Sequence, residues 1–239
     1  MRYLILSDIH ANLEGLNAVL AEAKDSYDTI VNCGDLAGYG PDPNEVIDWC
    51  RATNAVIVRG NHDKACAQLE NLDWFNPVAR ASAIWTFATL TDENRQFLRD
   101  LPKGPATFDT FQIFHGAPQD EDEYIVQESE AHTAAQFLDT QLSFFGHTHL
   151  QGGFAVHRNG TRRTPDDHFD LDESMQYLVN PGSVGQPRDG DPRAGFAVYD
   201  SEARTIECRR VAYDHVTTWR KIVQAGLPEV LGQRLLAGV

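Results

Sequence analysis

The sequence predicts an α/β fold with a largely parallel sheet, to which antiparallel strands are added in the second half of the chain. Short apolar runs with high β-propensity end repeatedly in a polar cluster, as in YLIL before SDIH and AVIV before RGNHD. Helix-like segments lie between the early runs, and such alternation is typical of right-handed crossovers between parallel strands. The later apolar segments follow one another without long helices, which favours antiparallel pairing.

The strands are predicted from runs that have the length and composition of buried strands. In the first half of the chain these runs are YLIL, TIVNC and AVIV, and in the second half they are FQIF, LSFF and QYLV. The segments predicted to pair antiparallel are 152–157, 195–199 and 205–211.

The helices are predicted from apolar periodicity and from the positions of proline. Leu13, Leu16, Val19 and Leu20 recur at helical spacing and predict a helix over 12–25. The other predicted helices are 43–53, which Pro43 begins; 72–101, broken at Asn76-Pro77 and Leu101-Pro102; and a C-terminal helical tail from about 216, interrupted near Pro228.

Composition is that of an ordinary globular protein, with 42% apolar and 23% charged residues. No linker-like tract or internal repeat divides the 239 residues, so we expect a single domain over 1–239. The four cysteines are widely spaced, which favours reduced thiols over disulfides or a zinc site. The net charge of −15 argues against a nucleic-acid polymer as a partner, because phosphate binding needs clustered Lys and Arg.

Membrane association is not expected from this sequence. No apolar stretch approaches the roughly 20 residues that span a bilayer. The N-terminal MRYLILSDIH lacks the charge pattern and cleavage site of a signal peptide. We therefore expect a cytoplasmic protein.

Residues that commonly bind metal ions follow five of the predicted strands. Asp8 and His10 are two apart, as are His147 and His149, and residues i and i+2 of an extended chain face the same side. The remaining strand ends contribute Asp35, Asn61 and His115. Imidazole, carboxylate and amide groups suit borderline divalent ions such as Mn, Fe, Zn, Co or Ni. Seven ligands exceed one ordinary site and fit two ions that share a bridging carboxylate.

Each of these residues taken alone also has an ordinary structural explanation. Aspartate after glycine caps helices, and Asn61-His62-Asp63 equally fits a turn followed by a helix N-terminus. The coincidence of five strand ends that all carry ligand-type residues favours a functional site instead. In open α/β sheets, the carboxyl ends of the strands are where ligands bind.

The motifs SDIH, GD, GNHD, HG and GHTH, in this order, resemble the signature of the calcineurin-like metallophosphoesterase superfamily over about residues 1–190. The extended forms SDIHANLEGL, GDLAGYGPDP and NPGSVGQPRDGDPRAGFAVYD are similar to its small prokaryotic, YfcE-like phosphodiesterase branch. The resemblance implies a four-layer α/β/β/α sandwich with mixed sheets. Every motif position is filled in this sequence.

The resemblance also implies a role for each motif residue. It divides the ligands into two sets, one for each ion, with Asp35 shared between them. The first set is Asp8, His10, Asp35 and His149, and the second is Asp35, Asn61, His115 and His147. His62 is implied to lie beside the substrate and to assist the leaving group. The neighbouring Asp63 carboxylate is a candidate for orienting the His62 ring.

Three residues outside the ligand set are predicted to contact or line the substrate site: Asn12, Arg188 and Tyr39. Arg188 has the geometry for bidentate phosphate binding, and the alternative for each residue is an ordinary loop position. Arg59, just before GNHD, is either near the site or part of a buried ion pair. The acidic stretches 120–123 and 166–173 are expected to be solvated, the second as a strand connection.

These observations predict a phosphoesterase with two divalent metal ions that cleaves a small phosphodiester by attack of metal-activated water. A phosphomonoesterase, of the protein Ser/Thr phosphatase or dinucleoside-polyphosphate hydrolase type, is the first alternative, because selectivity depends on loops outside the motifs. A metal-poor scaffold that binds protein partners is the second. The tail helix either covers the core or pairs with a second subunit, so a homo-oligomer is an open alternative to the monomer.

Overall fold

Side chains of the first strand alternate between two apolar clusters, so both of its faces are covered. Leu4 and Leu6 pack among helical residues on one side, and Tyr3 and Ile5 pack against strands of a second sheet on the other. Burial on both faces explains why this strand is a continuous apolar run. The computed structural model, which describes residues 1–68 and 72–239, accordingly contains two facing sheets with helices on their outer sides.

Each predicted strand and helix is found in the described residues, but the helix at Glu128–Ala135 and the strands at Ala106–Phe108, Gly160–Arg163 and His168–Asp170 were not predicted. The strands are β1 (Arg2–Leu6), β2 (Thr29–Asn32), β3 (Val56–Ile57), β4 (Ala106–Phe108), β5 (Phe111–Ile113), β6 (Leu142–Phe144), β7 (Gly152–His157), β8 (Gly160–Arg163), β9 (His168–Asp170), β10 (Gln176–Asn180), β11 (Ala194–Asp200) and β12 (Thr205–Val211). The helices are α1 (Leu13–Glu22), α2 (Pro43–Ala52), α3 (Asn61–Gln68), α4 (Pro77–Thr89), α5 (Asp92–Asp100), α6 (Glu128–Ala135), α7 (His215–Gln224) and α8 (Val230–Ala237), with a short 3-10 helix at Leu72–Trp74.

Each sheet has six strands and is mixed. The first has the order β3-β2-β1-β11-β12-β9, with β1, β2 and β3 parallel and the remaining strands antiparallel. The second has the order β4-β5-β6-β10-β7-β8, with β5, β6 and β10 parallel. The four-layer sandwich is confirmed. The expectation of one largely parallel sheet was wrong, because the parallel strands divide into two groups of three that face each other.

The acidic stretch 166–173 is more than a strand connection. It contains β9, which pairs antiparallel with β12 at the edge of the first sheet. Phe169 is buried between the sheets while His168 and Asp170 on either side are exposed. The expectation of a solvated loop was therefore wrong for this strand, whose single apolar side chain was hidden among charged neighbours.

An aromatic cluster fills the space between the two sheets. Tyr3 packs edge-on against Phe111 at 5.1 Å and stacks on Tyr199 at 5.8 Å between ring centroids. Its buried hydroxyl donates a hydrogen bond of 2.5 Å to Asp109. Burial, together with this carboxylate, raises the pKa of Tyr3 to about 12.

The C-terminal tail consists of α7 and α8, and the break between them contains Pro228, as predicted. Leu227, Leu231 and Leu235 pack on Tyr39, which follows β2 in the chain. Lys221 of α7 reaches Asp42 at 3.0 Å. The tail therefore presses on the loop after β2, the loop that also carries Asp35. Among the described residues, no helix has both the length and the apolar character required to cross a membrane.

Candidate metal centre

The carboxyl ends of strands from both sheets meet at one buried cluster. The strands β1, β2 and β3 of the first sheet lead into Asp8, His10, Asp35 and Asn61, and β5 and β6 of the second lead into His115, His147 and His149. Apart from the partly exposed Asn61, all of these residues are buried. Their ligand atoms form two groups that share Asp35, each compact enough to hold an ion.

The backbone at these residues differs from what the two-apart spacing predicted. Asp8, His10, His147 and His149 have φ between 48° and 66°, and Asp35 has φ 58°, so none of them is extended. The paired side chains converge because tight left-handed turns redirect them, and not because alternate residues of a strand share a face. A non-glycine residue in this region costs about 1–3 kcal/mol, and such residues are concentrated at functional sites.

The first group presents nitrogen lone pairs to one another. The Nδ1 atom of His10 donates to the Ala37 carbonyl at 2.9 Å, and that of His149 donates to the Gln186 carbonyl at 2.6 Å. Burial lowers the pKa of His10 to about 4 and that of His149 well below its ordinary value, so both rings are neutral at pH 7. Their unprotonated Nε2 atoms consequently face each other at 3.1 Å. Two acceptors at that separation repel each other, and a cation between them would remove the repulsion.

Asp8 completes this first group. Its Oδ1 atom lies 3.3 Å from Nε2 of His149 and 3.9 Å from Nε2 of His10. Burial raises the pKa of Asp8 to about 7, although the charges of His115 and Arg188 act in the opposite direction. A bound cation would favour the ionised carboxylate.

The second group shows the same conflict between acceptors. Nδ1 of His115 donates to the Cys33 carbonyl at 2.8 Å, so Nε2 is directed at Asn61 Oδ1 at 3.1 Å and at Asp35 Oδ2 at 3.3 Å. Burial opposes a charge on this ring, yet Asp35 raises the pKa of His115 to about 10. The proton on Nε2 therefore occupies the position at which a metal ion would be bound by His115, Asn61 and Asp35.

His147 offers its other nitrogen to the second group. Its Nε2 donates to the Asp122 carbonyl at 3.2 Å, which leaves Nδ1 unprotonated. Burial lowers the pKa of His147 to about 3, so the ring is neutral and available as a ligand. The Tyr124 ring stacks on it at 4.0 Å and fixes its plane.

Asp35 joins the two groups. Its Oδ1 accepts from the His62 amide at 2.8 Å, whereas the buried Oδ2 lies 3.6 Å from Nε2 of His10 and 3.3 Å from Nε2 of His115. Burial works against ionisation, but the charge on His115 holds the pKa of Asp35 well below its ordinary value. An ionised oxygen between two imidazole nitrogens has the chemistry of a metal bridge. The donor set therefore fits divalent metal ions.

Asp63 fixes the loop that carries Asp35 and does not orient the His62 ring. Its two carboxylate oxygens accept hydrogen bonds from the backbone amides of Asp35, Leu36, Ala37 and Gly60, at 2.8 to 3.1 Å. The predicted link between Asp63 and the imidazole of His62 was wrong, because all of the hydrogen bonds found at this carboxylate come from the backbone. Its carboxylate instead binds backbone amides of two turns, the one that contains Asp35 and the one that contains Gly60.

His62 lies beside the cluster and lines a cleft of about 530 Å³ that opens from it. Its ring contacts Tyr39 at 4.4 Å and Phe75 at 4.8 Å between centroids. Burial lowers the pKa of His62 well below its ordinary value. The buried Nδ1 has no partner, and an unpaired N–H is rarer than an unpaired acceptor, so the proton of the neutral ring belongs on Nε2.

The three predicted substrate-contact residues differ in position. Tyr39 lines the cleft, and its ring packs against that of His10 at 4.7 Å between centroids. The Cζ atom of Arg188 lies over the Tyr39 ring, 5.6 Å from its centroid. Arg188 also lowers the pKa of His149, which indicates that its charge acts on the cluster. Asn12 is buried and serves as the N-cap of α1, accepting from Gly15. The substrate contact expected of Asn12 stays a prediction.

Glu121 was not recognised from the sequence as part of the site. The acidic run 120–123 was expected to be solvated, but Glu121 is buried and binds Arg59 at 2.9 Å and Lys64 at 3.2 Å. Arg59 therefore has the buried ion pair that was its alternative explanation. This pair anchors the loop whose Asp122 carbonyl holds His147. In the sequence, the only indication of this ion pair is that a basic residue stands on each side of the GNHD motif, Arg59 before it and Lys64 after it.

The sequence of this chain is similar to those of known proteins. A family model described as the calcineurin-like phosphoesterase superfamily domain matches residues 1–204. The uncharacterized protein MJ0912 of Methanocaldococcus jannaschii is 37% identical over 98% of this chain and 97% of that protein.

Solved structures are also similar to this chain. A metallophosphoesterase from Sphaerobacter thermophilus is 40% identical, with a TM-score of 0.87 over 100% of this chain and 99% of that chain. The hypothetical protein PH1004 of Pyrococcus horikoshii has the same fold, at 22% identity and a TM-score of 0.79 over 100% of this chain and 98% of the other. YfcE of E. coli is a weaker match, at 18% identity and a TM-score of 0.46 over 89% of this chain and 100% of that chain.

Proposed function

The chain belongs to the calcineurin-like phosphoesterase superfamily, and on that premise we propose that it is a hydrolase that cleaves a small phosphodiester with two divalent metal ions. The observation that carries the proposal is the arrangement of buried acceptors. Nitrogen and oxygen lone pairs face one another around Asp35 in two adjoining groups, and within the described part of the chain the only positive charge between them is the proton of His115. One group opens on a cleft large enough for a small organic ester.

Divalent ions at these two groups would stabilise the charge on phosphoryl oxygens and would make water nucleophilic at neutral pH. The protein's own residues hold the geometry for that chemistry. Asp35 presents its Oδ2 to both groups, and Asp63 holds the Asp35 turn through the backbone amides that it binds. Arg188 adds a positive charge at the edge of the cluster, where it favours binding of an anionic phosphate.

His62 is positioned to act on the leaving group. Because its pKa is low, the ring is neutral at pH 7 and acts through one N–H, which we assign to Nε2. Such a group donates a hydrogen bond to an oxygen on which charge develops. The approach of an anionic phosphate raises the pKa of the ring and improves it as a proton donor.

The preference for a diester is supported by charge and by space. Asp120 and Asp122 line the cleft together with His62. Their carboxylates disfavour the dianion of a phosphomonoester more than the monoanion of a diester. The cleft volume of about 530 Å³ also leaves room for a second substituent on phosphorus.

Metal analysis followed by paired assays tests this function. The purified protein is stripped with a chelator, reloaded with Mn²⁺ or Ni²⁺, and assayed on bis(p-nitrophenyl) phosphate and p-nitrophenyl phosphate. We expect metal-dependent hydrolysis with a higher kcat/KM for the diester. A ratio that strongly favours the monoester would assign the protein as a phosphomonoesterase. Absence of both bound metal and activity would assign it as a scaffold.

Three variants separate the roles of the residues. His62→Ala is expected to reduce kcat by about 10²- to 10⁴-fold with metal content intact. His149→Ala is expected to lose the ion of the first group in preference to the other. His168→Ala removes an exposed histidine of β9 and is the control that should change neither property. Equal turnover in His62→Ala, or full occupancy of both ions in His149→Ala, would refute the assigned role.

A further inference from the structure

The mouth of the cleft carries a tryptophan that the described residues leave uncovered. Trp74 lies in the 3-10 helix Leu72–Trp74 and is 91% exposed, the highest exposure among the large apolar side chains described. A single exposed aromatic ring is common on protein surfaces. Trp74 differs from such a ring in its place, because it lines the same cleft as Asn61, His62 and His147.

Other aromatic rings connect Trp74 to the metal cluster. Phe75, the next residue, contacts the His62 ring edge-on at 4.8 Å. Tyr124, from the loop after β5, is 48% exposed, lines the cleft and stacks on His147. The direction of the Trp74 segment is fixed by Asn76, whose side chain accepts from the first amides of α4. A ligand that extends outward from the cluster therefore enters a cleft whose lining includes Trp74, Phe75 and Tyr124.

The charged side chains that line the cleft are carboxylates. Asp120 and Asp122 are both exposed there, and the described residues that line the cleft include no lysine or arginine. The nearby cations Arg59 and Lys64 are bound to Glu121. These walls attract hydroxyl and amino groups, and they repel any phosphate other than the one at the cluster.

We propose that the cleft binds the nucleoside part of a nucleoside monophosphate ester, with its base stacked on Trp74 and its hydrogen-bond donors directed at the two carboxylates. This inference rests on the proposed phosphodiesterase function and adds the substrate class to it. Stacking on an aromatic side chain accepts any base, since every base has a π-face. The carboxylates disfavour polyphosphate esters, so a single phosphate is part of the specificity.

A pair of substrates with the same scissile chemistry tests the proposal. The methyl phosphodiester of adenosine 5′-phosphate carries adenine at C1 of the sugar, where that of ribose 5-phosphate carries a hydroxyl group. With the metal-loaded enzyme we expect kcat/KM to be about 10-fold or more higher for the adenosine ester, the size of a typical base–aromatic stack. In Trp74→Ala this ratio should fall to near one. Phe137→Ala, which removes an exposed ring outside the cleft, should keep the wild-type ratio.

The outcomes distinguish this proposal from the proposed function. Equal kcat/KM for the two esters in the wild type, or an equal loss of preference in Phe137→Ala and Trp74→Ala, would overturn the nucleoside site while leaving a phosphodiesterase. Faster hydrolysis of diadenosine tetraphosphate than of the adenosine ester would overturn the single-phosphate requirement. If bis(p-nitrophenyl) phosphate is not hydrolysed with any metal, the proposed function fails by itself.

Binding can also be measured without turnover. Titration with AMP should quench the intrinsic fluorescence of the wild type, and ribose 5-phosphate should not. The quenching should disappear in Trp74→Ala, although Trp49, Trp85 and Trp219 remain. Quenching of equal size in that variant would refute stacking on Trp74. Because Trp74 is almost fully exposed, we expect the variant to fold with wild-type stability, and a thermal melt checks this.

Discussion

Gly60 is the position where one added methyl group should disturb the metal cluster most directly. A Cβ atom at Gly60 would lie 2.1 Å from Oδ1 of Asp35 and 2.5 Å from its backbone nitrogen. Ordinary van der Waals contact begins at 3.4 Å, so the carboxylate and the new methyl group would have to separate by about 1.3 Å. The φ angle of Gly60 lies outside the left-handed region, so alanine is allowed by the backbone itself and the effect is steric.

The displaced group would be the carboxylate shared by both metal groups. We expect Gly60→Ala to reduce kcat/KM by about 10²-fold, because a shift of about 1 Å at a catalytic group has that effect. The free energy of unfolding should fall by about 1–3 kcal/mol, the usual cost of overpacking. Metal occupancy should fall as well. Plasma-mass spectrometry of the purified variant, denaturant unfolding and the diester assay measure the three quantities.

A matched glycine separates this contact from the general effect of replacing glycine. A Cβ at Gly190 would meet no atom within 4 Å, and its φ of +84° makes alanine strained there. Gly190→Ala should therefore lose stability by about 1 kcal/mol and keep metal content and turnover. Full metal occupancy and turnover within twofold of the wild type in Gly60→Ala would show that the contact with Asp35 does not position it.

Three further changes test the supports of the site and the core. Asp63→Asn should lower the free energy of unfolding by about 2–6 kcal/mol, because its new NH₂ group would face two backbone donors; an unchanged urea midpoint would refute this. Glu121→Gln should cost about 2 kcal/mol by leaving two partly buried cations without a counter-ion, and it should weaken metal binding through the His147 loop; retained ion affinity would contradict the second effect. Tyr3 has a raised pKa in the folded state, so the unfolded state loses this proton first and stability should fall from pH 10 to pH 12. Tyr3→Phe should show a smaller alkaline loss in denaturant titrations, and an identical loss would exclude Tyr3 as a contributor.

The order of strands and helices could be predicted because local patterns determine it. Apolar runs, Pro43 and the Asn76-Pro77 step gave element types and most boundaries. The division into two sheets was not available from those patterns, because pairing depends on which strand ends meet in space. Only the family resemblance supplied the four layers.

At the site, residue types were informative and backbone geometry was not. The side chains that meet in the cluster could be identified from the sequence because ligand-type residues follow five of the predicted strands. It gave the wrong reason for the His147–His149 pair, since left-handed backbone at a non-glycine residue has no sequence signal. It also missed Glu121 and Trp74, whose positions follow from loops and from no periodic element.

The left-handed turns at the metal ligands have an evolutionary consequence. Each of these residues holds a backbone conformation that glycine or asparagine would adopt at lower cost. In addition, the lone pairs of His10 and His149 oppose each other when no ion lies between them. Replacing such a ligand therefore relieves strain in the metal-free protein while it removes catalysis. Selection for stability alone would not preserve this cluster, and a descendant freed from its reaction could keep the sandwich and lose the metals.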